Sequence, residues 1–466
     1  MRSSRAGAAL ILAALTLLGC GEDTSGGPSP DPWAAVELPR AKDLDPSPGV
    51  FELDLEAGVG KARYVAAGTT PVWTYNGTSP GPLIELALGD RLKAHFSNAL
   101  PEETTVHWHG LRIPAAMDGT MAMQNPTQPG GTFEYEFVVK DPGLFWFHPH
   151  VRSDEQVEKG LYAPILVRGP NEPSADREVV WMLDDVALEA DGSRPEYLDD
   201  ESKMLGRHGD TLLVNGAVSP TVEVQAGELL RMRLVNAANG RFFNLAMSGQ
   251  TFRVIGSDGG FLPKPYDTDR VLIAPGERYD VMLVVSAAPG EKLELTNEPY
   301  ERGHGTGEDP PMRVATLRVS KQPALEGRVL PAAFPDIEAL PAQPVDFPIV
   351  LNEAMVGADM TFTVNGKAFP DVATLSVPSG SLRVLGVSNQ SEMDHPFHLH
   401  GFFFQVLARN GVPMGPEALT NKDTIIVPAK GSLDLIARFD EPGMWMYHCH
   451  ILEHAEGGMA GLIQVE

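Results

Sequence analysis

One pattern recurs three times along this chain of 466 residues and limits its folds more than any other feature. Tyr75 to Asn98 reads YNGTSPGPLIELALGDRLKAHFSN, Val214 to Asn236 reads VNGAVSPTVEVQAGELLRMRLVN, and Val364 to Asn389 reads VNGKAFPDVATLSVPSGSLRVLGVSN. Each copy opens on Asn-Gly, a signal for a tight hairpin turn. It then passes a Pro, alternates apolar and polar residues with period two, turns at Gly and closes on Asn. Three copies of a strand-rich unit imply three sandwich domains of roughly 120–150 residues each. No long amphipathic helix is present, and short β-branched and aromatic runs punctuated by Gly, Pro and Asn fill the rest. The expectation is an all-β protein with domains at 49–170, 176–322 and 345–466.

The repeats also align the histidines. His107 and His109 follow Asn98 by nine and eleven residues, and His398 and His400 follow Asn389 by the same steps. The equivalent positions after Asn236 are Leu245 and Met247. DPGLFWFHPH (Asp141 to His150) matches EPGMWMYHCH (Glu441 to His450) at a constant offset of 300. Domains 1 and 3 therefore carry matching His-x-His pairs on two strands each, and domain 2 carries none. If domains 1 and 3 meet, eight histidines face one another, with domain 2 as spacer and wall. His95, His208 and His304 stand outside these groups and receive no role.

Imidazoles alone suit several transition metals. The segment HCHILEHAEGGM (His448 to Met459) narrows the choice. In an extended strand His448 and His450 point to one side and Cys449 to the other, so three residues can serve two sites. His395, Cys449, His454 and Met459 supply two imidazoles, a thiolate and a thioether, the set of a blue-copper electron-transfer site. Zinc rarely takes a thioether. Core packing is the alternative reading of Met459.

Together HWHG, HPH, HPFHLH and HCHILEHAEGGM resemble the four copper motifs of the multicopper oxidases, specifically three-domain bacterial enzymes of the laccase and cuprous-oxidase kind. The resemblance spans the chain from about residue 50. It implies cupredoxin-like Greek-key sandwiches and four copper ions. Type 1 copper would fall to His395, Cys449, His454 and Met459, and type 2 copper to His107 and His398. The type 3 pair would fall to His109, His148, His150, His400, His448 and His450. The implied reaction couples four one-electron oxidations of a donor to reduction of O2 to water, with Cys449 leading electrons to its neighbours. Asp118 matches an acidic residue near the type 2 copper, where an ordinary Asp-Gly surface turn is the competing reading. Relatives often carry a carboxylate directly after the last type 1 histidine. Here that residue is Ala455, and Glu456 takes the role only if the loop turns it inward.

Dedicated cuprous oxidases of this kind carry a Met-rich insertion over the type 1 site, whereas Met355 to Met393 contains only Met355, Met360 and Met393. An uncovered site favours phenols and aromatic amines, the laccase reading, with Cu(I) oxidation in copper tolerance as the alternative. Met117, Met121 and Met123 could hold Cu(I), but loop packing explains them more simply. A copper nitrite reductase would share the blue site yet lack HPH and the paired HCH histidines. A purely electron-transferring copper protein leaves most of the ten histidines unexplained.

The ends of the chain bear on location. Arg2 and Arg5 precede a 13-residue apolar run, Ala6 to Leu18, too short to span a bilayer. Leu17-Leu18-Gly19-Cys20 resembles a bacterial lipobox, so residues 1–19 read as a lipoprotein-type signal peptide and Cys20 as the lipid acceptor. Residues 20–48 have the polar, Pro- and Gly-rich composition of a flexible tether. Export to the periplasm or cell envelope follows, with the membrane reached only through that lipid. Loss of residues 1–19 lowers the formal charge from −26 to −28, which excludes nucleic acid as a partner. A monomer is expected.

Overall fold

The computed structural model describes residues 36–466, apart from 198, 309, 357 and 358. The expected signal peptide, residues 1–19, and Cys20 lie outside the described residues. Six sheets make up three sandwiches of four and four, seven and five, and six and five strands. In each, the antiparallel partner of the strand that enters the Asn-Gly turn runs parallel to the strand that ends the repeat: Val50–Ala62 with Arg91–Asn98, Arg177–Val186 with Leu229–Asn236, and Phe347–Val356 with Ser381–Asn389.

The repeated residues do the same work in all three copies. Asn76, Asn215 and Asn365 have φ of 50°, 50° and 52°, followed by glycines at 79°, 78° and 74°. Two successive positive φ values make the mirror-image turn that suits a twisted hairpin, and Asn-Gly adopts it at least cost. Each Asn side chain also accepts from a backbone N–H of the strand behind it: Glu56, Met182 and Val350. The closing asparagines bracket the next loop. Asn98 Nδ2 donates to the carbonyls of Glu102 and Thr127, Asn236 to those of Arg241 and Ile273, and Asn389 to those of Met393 and Val427. That loop leads into the histidine strand of domains 1 and 3, so the bracket sets where those imidazoles begin.

Each sandwich has its own core. In domain 3 Phe397, Phe404, Trp445 and Tyr447 pack around Cys449 and Met459. A smaller cluster ties the domains together: Leu83, Trp146 and Tyr162 of domain 1 meet Met182 and Val235 of domain 2 and Leu452 of domain 3. Fully burying such a side chain contributes about 1.5–3 kcal/mol, so the three sandwiches are packed into one body.

The tether expectation needs correction at its C-terminal part. Val36 and Leu38 are 4% and 8% exposed and enter the domain 2 core and the inter-domain cluster. The backbone of residues 39–41 exchanges hydrogen bonds with Leu83, and Asn215 Nδ2 donates to the Val36 carbonyl. Two apolar side chains in a polar segment suffice to dock it. Among the described residues no helix is long and apolar enough to cross a membrane.

Candidate metal centre

Four short strands carry the histidines. His107–His109 pairs with Gly143–His148, placing His107 opposite His148, and His395–Leu399 pairs with Gly443–Cys449, placing His398 opposite His448. The two pairs face each other across the domain 1–domain 3 contact. His107 stacks on His400 with ring centroids 4.0 Å apart, and His109 on His398 at 3.9 Å. His150 Nε2 lies 3.4 Å from His448 Nε2. His450 completes the group, 5.0 Å from His109 and 5.6 Å from His148 between ring centroids. All eight imidazoles are at most 8% exposed.

The proton on six of the eight rings is set from behind. His107 Nδ1 donates to the Asp118 carbonyl (2.8 Å), His398 Nδ1 to the Asp423 carbonyl (2.9 Å), His148 Nδ1 to the Pro149 carbonyl (2.9 Å) and His448 Nδ1 to the Cys449 carbonyl (2.7 Å). His400 Nδ1 donates to Asp118 Oδ2 at 2.9 Å and His109 Nε2 to Asp423 Oδ1 at 3.2 Å. Asp118 and Asp423 are thus pseudo-symmetric. Each takes one imidazole of its own domain on its carbonyl and one of the opposite domain on its carboxylate. Burial opposes their ionisation, but the His400 and His107 rings hold Asp118, and Arg278 with His109 and His398 holds Asp423, well below the usual carboxylate range.

This leaves lone pairs pointing inward. His107 Nε2, His109 Nδ1, His148 Nε2, His398 Nε2 and both nitrogens of His450 are buried with no hydrogen-bond partner. His400 Nε2 and His448 Nε2 face each other at 3.0 Å, and both are acceptors because the protons sit on Nδ1. Burial keeps His109, His148, His400, His448 and His450 well below the ordinary imidazole pKa and His150 at about 3, so these six rings are neutral. Each orphaned buried acceptor costs on the order of 1–3 kcal/mol. Converging neutral imidazoles of this kind fit cations.

The second site lies on the far face of the HCH strand. His395 Nδ1, His454 Nδ1 and Cys449 Sγ converge, with separations of 3.2 Å between the nitrogens and 3.5 and 3.7 Å from sulfur. His454 Nε2 donates to the Met204 carbonyl (3.0 Å) and His395 Nε2 lies 2.7 Å from Ser391 Oγ, which leaves both Nδ1 atoms to the site. Met459 is fully buried in the same core, its N–H on the His454 carbonyl and its carbonyl on the Cys449 N–H. Burial pushes the Cys449 thiol up, so a thiolate forms here only beside a cation. Two imidazoles, one thiol and a thioether in this setting fit copper.

Two expectations are revised. The loop does not turn Glu456 inward: it is exposed, and its Oε1 accepts from Ser153 N (2.8 Å) and Oγ (2.9 Å) at the start of helix α1 (Ser153–Glu158). On the short helix Leu452–Glu456, Glu456 thus faces α1, while Glu453 three residues earlier is bonded to domain 2. Nor is the thiolate site open. His395 and His454 are 0% exposed. The helix α2 (Asp200–Leu205) of domain 2 brings Met204 onto His454, and Phe362 stacks on the same ring at 3.9 Å.

The sequence reading missed Asp423, Arg278 and Glu453. Asp423 escapes because its spacing from His398 differs from that of Asp118 from His107. Arg278 reaches the site from domain 2, which has no histidine motif. Glu453 accepts from Asn239 Nδ2 (2.8 Å) and Tyr197 OH (3.1 Å), and burial raises it to about 7, with Asp154 adding. Among the outlying histidines, His95 lies between Glu134 and Glu52 on the surface, and His208 and His304 lie near Arg302 and Glu353. Replacing Asp118 by Ala releases the His400 Nδ1 anchor. We expect a roughly 10–100-fold loss of metal affinity or turnover, measurable by chelator competition.

Residues 59–172, 177–322 and 342–466 each match a family profile described as multicopper oxidase. The chain is 33% identical over 428 residues to the multicopper oxidase MmcO of Mycobacterium tuberculosis, covering 83% of this chain and 82% of that protein. It is 28% identical over 468 residues to a laccase of Bacillus subtilis, covering 84% and 89%. Among solved structures, a Campylobacter jejuni multicopper oxidase described as a metallo-oxidase superposes with a TM-score of 0.82 at 28% identity, covering 92% of this chain and 94% of that one.

Proposed function

The chain belongs to the multicopper oxidases, oxidoreductases with dioxygen as acceptor, and we propose that its donor is a reduced metal ion such as Cu(I). The cover over the thiolate site carries this reading. A phenol or aromatic amine needs an imidazole edge to lean on, and the outer nitrogen of His454 is already bonded to Met204 under α2. Thioethers and carboxylates surround that cover. Met355 is 60% exposed and pairs with Met360 on the hairpin that carries Phe362, while Asp199, Asp200 and Glu201 stand exposed at the start of α2. Soft and hard donors together suit a metal ion.

His395, Cys449, His454 and Met459 would hold type 1 copper, His107 and His398 type 2, and the remaining six histidines the type 3 pair. The four ions supply one-electron oxidation at one site and four-electron reduction of O2 to water at the other. The chain contributes the connection and the exclusion of water. Cys449 and its neighbours His448 and His450 join the two sites through covalent bonds alone. Asp118 and Asp423 orient the rings, and Asp118, ionised beside two imidazoles, would pass on a proton bound for oxygen rather than store it. All twelve ligands come from one chain, which suits a monomer. Export, with a lipid on Cys20, belongs to the same proposal.

Phenol oxidation is the second reading, favoured by a cleft of about 570 Å³ beside α2 lined by Leu205, His208 and Thr306. Oxygen uptake by copper-loaded protein separates the two. Fast uptake with Cu(I), and little with a dimethoxyphenol until copper is added, is the expected result. Fast phenol-driven uptake without added copper would make the enzyme a laccase.

A further inference from the structure

We propose that Arg302 is a positioning residue of the thiolate site, pinning helix α2 over His454 and keeping a permanent positive charge at the edge of that site. This rests on the assignment of that site to His395, Cys449 and His454.

Arg302 is 2% exposed. Its carbonyl accepts from the N–H of Asp394, the residue before His395, at 2.6 Å. Its Nη2 donates to the carbonyl of Leu205, the last residue of α2. The carbonyl one residue earlier, Met204, receives His454 Nε2. One residue is therefore linked in short steps to both imidazoles, through its backbone toward His395 and through its side chain toward His454. A cation on the last carbonyl of a helix also meets the negative end of its aligned peptides.

The rest of its surroundings are unusual for a buried guanidinium. Nη2 also donates to His208 Nε2 at 3.0 Å, an acceptor because His208 Nδ1 donates to the Gly206 carbonyl. The group lies over the Phe242 ring at 5.3 Å, and Nη1 has no partner. Arg231, Arg241 and Arg278 are similarly buried, and each is hydrogen-bonded to a carboxylate. Arg302 instead meets a carbonyl, an imidazole and a ring. Leaving a buried charge without a contact anion is costly unless charge nearby compensates it. The groups that act on it from further away as anions are Cys449, once a cation has displaced its proton, Asp394 and Glu453. Burial, with Arg241 adding, brings Arg302 only to about 10, so it stays cationic at neutral pH.

A fixed positive charge there stabilises the thiolate and the less positive, reduced state of the site, which raises its reduction potential. It also holds the lid through which a donor must deliver electrons.

The test uses Arg302→Met, Arg302→Gln and Arg302→Lys in the full chain. Potentials are read on copper-loaded protein by following the blue absorption. Backbone amide exchange of residues 200–205 is read on metal-free protein. Met and Gln should lower the potential while Lys holds it, and Met should raise α2 exchange several-fold. Wild-type potentials in Met and Gln with the blue band intact would overturn the charge role. Unchanged α2 exchange in Met would overturn the clamp. If Met does not accumulate, Gln against Lys still decides, because Lys retains the charge and Gln only the hydrogen bond. A wild-type protein with no blue band would instead refute the site assignment, and amide exchange would still report on the clamp.

Discussion

Replacing Cys449 by Ser should abolish the blue absorption and bring donor-driven oxygen uptake down to the background of free copper. The loss should exceed the roughly 10–100-fold expected for residues that only orient ligands. Cys449 is one of two cysteines in the chain and is fully buried. A serine hydroxyl remains protonated where the thiol yields to a metal, and it offers no soft donor. His448 and His450 keep their backbone positions, so the histidine cluster should still load metal. Metal analysis of the variant checks this: a protein that loses all bound copper would mean that the two sites assemble as one unit.

The second large effect is on stability. Arg278→Leu should cost about 3–5 kcal/mol, because it leaves Asp423 as an unpaired buried charge. Arg278 donates to both carboxylate oxygens of Asp423 at 2.6 Å and also to the Leu144 and Asp258 carbonyls, so one side chain links all three domains. The space around it is exact enough that a Cβ on Gly110, whose φ is +84°, would come within 2.4 Å of its Nη2. Calorimetry of metal-free protein should show a lower melting temperature. Adding Asp423→Leu should recover part of it, since the orphaned charge goes too, while His109 loses its anchor. A single variant that melts like the wild type would show that water or His109 compensates Asp423.

Stability should also depend on pH through buried acids outside the cluster. Burial, with Glu456 adding, raises Asp154 to about 7, and burial raises Glu158 to about 7. An acid raised in the folded state binds protons that the unfolded chain releases. Its contribution is therefore complete below about pH 4 and disappears as pH rises to about 7. Asp154→Asn should flatten that decline by up to about 4 kcal/mol, seen as a smaller change in melting temperature between pH 4.5 and 7.5.

How much of this could be read from the chain differs by element. The three Asn-Gly turns and closing asparagines were legible because they act within their own hairpin and loop, where sequence distance and spatial distance coincide. The eight paired histidines and the thiolate set were legible because repeat symmetry places equivalent side chains at equivalent points. Asp118 was legible through its motif, whereas its counterpart Asp423 was not, since a longer loop precedes it. Glu456 misled because a period of two or three residues does not say toward which neighbour a short helix turns. The cover over the thiolate site was invisible in domain 3 because domain 2 supplies it.

Local backbone preference accounts for the strands and the three-fold repeat, and side-chain chemistry for the choice of the proposed donor set. Tertiary structure alone decided which nitrogens of His109 and His400 carry their protons, that Arg278 neutralises Asp423, and that α2 closes over His454. Those outcomes depend on contacts between residues more than a hundred positions apart, where burial strengthens every charge and hydrogen bond and no local pattern records the partner.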